Sequence, residues 1–152
     1  MTVRWLFAAF HLLALGIGLG AVWARARALE GPFDAAGLRR VFSADAWWGV
    51  AAGLWIVTGL IRAFAGLEKG STYYLHNHVF WLKMALLVLI LILEVSPMVT
   101  LVRWRAQTSR GEPVDTRLVG RFARISYIQA GLVALMVLAA TAMARGYGVS
   151  GN

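Results

Sequence analysis

The sequence predicts an all-α polytopic membrane protein folded as a four-transmembrane-helix bundle, and three observations carry that prediction. Four apolar stretches, 5–24, 46–62, 78–102 and 124–144, each approach the ~20 residues that cross a bilayer core. Of the 152 residues 60% are hydrophobic and 14% charged, whereas a soluble domain carries about 25% charged residues. The net charge of +8 comes from arginines that flank the apolar stretches. A basic chain can also signal nucleic acid, but cations bordering hydrocarbon segments fit a lipid bilayer as partner, with no nucleic acid. Cysteine is absent, which excludes disulfides, thiolate metal sites and covalent haem attachment. A single integral membrane domain, 1–152, is expected, with no internal repeat.

The first helix is expected over 5–24, closed by Arg25 and Arg27. A signal peptide is disfavoured here, because the leading region has only Arg4 and the two arginines would fall at any cleavage site. The second is expected over 46–62, with Asp45 as its N-cap and Arg62 at its end. A Gly/Ser-rich turn over 66–71 leads through Tyr73, Tyr74, His76 and His78 into the third, 78–102. A polar loop over 103–121, with Gly111 and Pro113, precedes the fourth, which stops at Arg145 and Gly146.

Orientation follows from the Lys/Arg distribution. The first and third connections hold Arg25, Arg27, Arg39, Arg40, Arg103, Arg105, Arg110, Arg117, Arg121 and Arg124, against Arg4, Arg62, Lys69 and Arg145 on the other side. Those connections are therefore expected in the cytoplasm and both termini outside. With no organelle-type targeting segment, a bacterial inner membrane with periplasmic N- and C-termini is the expected location.

The third stretch carries the first functional signal, because Lys83 and Glu94 stand in almost unbroken hydrocarbon. A charge at a helix centre costs about 2.5–3.5 kcal/mol on insertion scales, so such residues face a bundle interior or cavity. At about 100° per residue the two share a face, and at about 1.5 Å rise they stand roughly 16 Å apart. Each needs a partner elsewhere, and both are candidates for a catalytic or proton-handling role. Arg25, Arg27 and Arg103 can snorkel towards Glu94. At the opposite end, His11, Arg62, Tyr73, Tyr74, His76, Asn77, His78 and Lys83 can form a polar cluster.

A metal site is not expected. On a helix His76 and His78 would point about 200° apart, and an interfacial place beside Tyr73 and Tyr74 accounts for them. A b-type haem is the alternative, with His11 as buried axial ligand and Gly18 on roughly the same face. Helix packing is the simpler account of most glycines, through Gly16/Gly20 and Gly49/Gly53 at G-x-x-x-G spacing.

The phrases WARARAL, WWGVAAGLWIVTGLIRAF, YYLHNHVFWLKM and LEVSPMVTLVRWR resemble an uncharacterised family of bacterial four-helix inner-membrane proteins. More distantly, the chain is similar to the group containing the J-type protoporphyrinogen oxidase and the membrane domain of CopD-like proteins. His11 with Arg27 sixteen residues later matches the oxidase's first-helix pattern, and Trp81 with Lys83 matches the opening of its third. Trp81 and Glu94 stand where that third helix typically carries His, so only His76 or His78 is placed to supply a second imidazole. The resemblance implies haem b on His11 and membrane redox or tetrapyrrole chemistry, with a propionate met by Arg27 or by Arg62 and Lys83, according to which way it faces. The competing expectation is a non-catalytic accessory subunit of a larger membrane complex, packed through tryptophan- and glycine-lined faces.

Overall fold

The computed structural model describes residues 2–64 and 76–148. It contains four long helices, α1 (Thr2–Leu29), α2 (Ala35–Phe64), α3 (His78–Ser109) and α4 (Val119–Ala144). Each contains a span long and apolar enough to cross a membrane. Their 28, 30, 32 and 26 residues correspond to roughly 40–48 Å, so every helix outruns the ~30 Å hydrocarbon core. Tyr73, Tyr74, Lys69 and the turn over 66–71 lie outside the described residues.

Helix ends depart from the hydropathy boundaries. α1 continues through Arg25 and Arg27 to Leu29 and stops only at Gly31-Pro32, where proline disfavours helix in the residue before it. Asp45 is not an N-cap. α2 begins ten residues earlier, where the Asp34 carboxylate accepts the Gly37 N–H at 2.7 Å and the Leu38 N–H reaches the Asp34 carbonyl at 3.0 Å. The stretch 35–45 is helical but polar on one side, so its hydropathy falls before its helicity does. α3 likewise runs past Arg103 and Arg105 and turns at Gly111, whose φ of +73° suits the left-handed residue after a helix end.

The connections α1–α2 and α3–α4 share one end of the bundle, here the loop end, and the start of α1 and the end of α4 share the other, here the terminal end. α1 packs on α2 and α4, and α4 on α3, whereas α2 and α3 close the ring loosely. Two apolar cores stack along the axis. Leu29, Val41, Leu101, Trp104, Phe122 and Ala123 form the one nearer the loop end. Val22, Trp48, Ile90, Ala130, Val133 and Met136 form the other. At most 33% of any apolar span is buried within the bundle, and exposed Leu12, Leu13, Trp47, Leu54, Ile92 and Leu138 face outward. That outer surface contacts lipid.

At the terminal end a cap fixes the start of α3. The buried Asn77 side chain accepts the N–H groups of Val79 at 2.9 Å and Phe80 at 3.3 Å, and its amide donates to the Tyr147 carbonyl. His78 N–H reaches the Gly148 carbonyl at 3.0 Å. Gly148 has φ +86°, and a Cβ there would collide with Val79 and the Asn77 oxygen. The segment after α4 is thus folded onto the head of α3.

Candidate functional site

Two polar assemblies sit at different depths. The deeper one joins all four helices between the two apolar cores. Arg25 of α1 is completely buried, and its five N–H donors all find acceptors. Nε donates to Ser126 Oγ (3.0 Å), Nη1 to Asp45 (2.9 Å) and Glu94 (2.7 Å), and Nη2 to Glu94 and Gln129 (both 2.8 Å). The Arg25–Glu94 pair is a bidentate fork, the strongest guanidinium–carboxylate geometry. Gln129 returns its amide to Glu94 at 2.8 Å and to the Ile90 carbonyl at 3.2 Å. The second Asp45 oxygen accepts from Arg105 at 2.8 Å, and Arg105 also donates to the Phe42 carbonyl. Two arginines face two carboxylates, so the knot is neutral. Its Arg105 bonds tie α2 to α3, the loosely packed pair.

The sequence placed Arg25 at a helix end and Glu94 within its reach. The pairing is there, but Arg25 is a core residue of α1 and not a boundary cation. Asp45, Ser126 and Gln129 were missed as its partners. Their signal was present: each is a polar residue in or beside an apolar run, at a depth matching Arg25.

The second assembly is a cavity of about 350 Å³ between the helices towards the terminal end. His11, Arg62 and Lys83 line it, one from each of three helices, with Trp55, Met84 and Met136 among its walls. Among the described residues that line it, none is a carboxylate. The Thr58 hydroxyl donates its single proton back to the Leu54 carbonyl at 2.7 Å. His11 Nδ1 stands 2.9 Å from the same hydroxyl oxygen, so the two side chains share a hydrogen bond. The imidazole stacks on Trp55 with centroids 5.5 Å apart and planes 21° apart. Gly59 makes room for it, since a Cβ there would stand 3.1 Å from His11 Cε1. Trp55 Nε1 is a buried donor without an acceptor among the described residues.

Of the anticipated cluster, His11, Arg62 and Lys83 meet around this cavity and Asn77 caps α3. His76 and His78 flank that cap, exposed, and do not line the cavity. Arg27 lies near the other end of α1, in a separate groove. Nor do the proposed packing glycines lie inside. A Cβ at Gly16, Gly20, Gly49 or Gly53 would meet nothing within 4 Å, whereas at Gly18 it would stand 3.4 Å from Ala51 and 3.5 Å from Trp48. Tight internal packing uses Gly18 and Gly59 instead.

Residues 3–148 match a family described as predicted membrane protein, DUF2214. The chain belongs to the DUF2214 family. Comparison with curated proteins and with solved structures finds no match. The likeness to the protoporphyrinogen oxidase and CopD-like groups therefore rests on the motif residues alone. Within the DUF2214 match fall both assemblies, the neutral four-helix knot and the donor-lined cavity.

Proposed function

We propose that this DUF2214 protein is a bacterial inner-membrane protein, loop end in the cytoplasm and termini in the periplasm, whose terminal-end cavity binds b-type haem. The observation that carries the reading is one imidazole, its Nδ1 2.9 Å from the Thr58 hydroxyl, in a mainly apolar cavity that Arg62 and Lys83 also line. His11 would hold the haem iron, and Arg62 and Lys83, not Arg27, would meet the propionates. The walls are otherwise mainly apolar, with three methionines among them. At about 350 Å³ the cavity is near the lower end of the ~300–1,000 Å³ of small-molecule sites. Bound haem would supply one-electron chemistry within the membrane. Thr58 would hold the imidazole in register.

The test is an absorption spectrum of protein expressed with haem supplied. A Soret band lost in His11→Ala and weakened in Arg62→Gln/Lys83→Gln is expected. A colourless protein, or a band indifferent to His11→Ala, ends the haem reading. The second reading, an accessory subunit of a larger complex, is favoured by Gly49 and Gly53, which offer an open small-residue face on the outside of α2. A colourless protein that holds stoichiometric membrane partners through mild extraction, and loses them on Gly53→Leu, would support it.

A further inference from the structure

A second depression lies on the outer surface of the bundle near the loop end, a groove of about 660 Å³ between α1 and α2. Its floor is made of small residues, Gly20, Ala21, Ala24 and Ala28 from α1 and Ala44 from α2, with Trp47 as one wall and Arg27 and Arg40 among its lining. Gly20 is not there for the bundle, because a Cβ on it would touch nothing. The groove runs from Ile17 to Ala28 along α1, roughly 16 Å at about 1.5 Å per residue. That is the reach of much of one acyl chain. The cations stand at the end nearer the connection. Arg40 is exposed and has no acidic partner among the described residues. Arg27 has only a long, exposed contact of 3.4 Å to Glu30, whose same oxygen accepts Tyr127 Oη at 2.8 Å.

We propose that this groove is a binding site for one anionic glycerophospholipid, its phosphate against Arg27 and Arg40 and one acyl chain along Gly20, Ala24 and Ala28. Charge selects this occupant. A second copy docking here in the same orientation would bring Arg27 and Arg40 against their own images, and like charges so placed repel. A phospholipid phosphate compensates both arginines at the depth where the helices leave the hydrocarbon. The site is separate from the haem cavity and does not depend on it.

Native mass spectrometry of the full chain, released from nanodiscs of equal phosphatidylglycerol and phosphatidylcholine, tests this. Wild type should retain phosphatidylglycerol preferentially. Arg27→Gln/Arg40→Gln should reduce that preference by roughly 30-fold, the weight of two interfacial cations. Both arginines are exposed, and an unchanged circular-dichroism melt verifies the fold. Gly20→Leu fills the groove with both guanidiniums in place and should lower retention of either lipid. An unchanged preference in the double variant overturns the proposal. So does a dimer that Gly20→Leu abolishes while phosphatidylglycerol adducts persist, which would assign the groove to a second copy.

Discussion

Arg25 illustrates how little room a buried guanidinium leaves for substitution. Its desolvation is offset only because five acceptors from three other helices meet it. Arg25→Met should lower stability by about 3–5 kcal/mol, because Glu94 and Asp45 then lose their shared cation in the interior. Glu94→Gln should act in the same direction, and pairing Arg25→Met with Glu94→Leu should recover part of the loss. Unfolding curves in mixed micelles measure all three, and strictly additive effects would contradict the geometry. A different regime applies in the α3–α4 connection. There the Arg117 side chain and backbone hydrogen-bond the Asp115 carboxylate and hold its pKa down to about 2, from an ordinary 3.8. A depressed acid is stabilised above its ordinary value and loses that stabilisation as pH falls through about 2. Asp115 is exposed to solvent screening, so the consequence is spectroscopic. A carbon-detected titration should place its midpoint near 2, and Arg117→Gln should return it towards the ordinary carboxylate range.

Among whole helices, the contrast between inward and outward glycines makes the clearest experiment. Gly18→Leu drives a side chain into Ala51 and Trp48 and should cost about 1–3 kcal/mol by overpacking. Gly49→Leu, with nothing nearby, should stay within about 0.5 kcal/mol in the isolated protein. Equal losses in detergent melts would show that the two faces are misassigned. The same contrast explains what was legible in the residues. The G-x-x-x-G spacing revealed small faces but not which way they point, since that depends on the rotation of each helix about its axis. Existence of the four helices was legible from hydrocarbon length, because a spanning backbone must satisfy its own hydrogen bonds. Their ends were not, because Arg25, Asp45 and Arg105 are polar residues in helical turns that a hydropathy profile reads as loop. The common face of Lys83 and Glu94 was legible as angular period. Their separate destinations, cavity and knot, came from helices far away in sequence.

For the molecule as a whole, the proposed orientation has a direct readout. Alkaline phosphatase fused after Asn152 should be active and the same reporter inserted at Gly111 inactive, and the opposite pattern would invert the bundle in the membrane. The loose α2–α3 seam also marks where the bundle should breathe, since the Asp45–Arg105 pair at one end is its clearest direct tie. The neutral knot has a consequence for biogenesis as well. Helices emerge from the ribosome in order, and each early stage must survive in lipid before the next arrives. Arg25 of α1 meets Asp45 as soon as α2 follows, so the first hairpin is already electrically balanced. α3 then delivers Glu94 and Arg105 together, an acid and a base on one segment. α4 brings only the uncharged Ser126 and Gln129 to this layer. At no step after the first hairpin closes does this layer of the growing protein hold a net charge, so each later helix arrives with its own charges already matched.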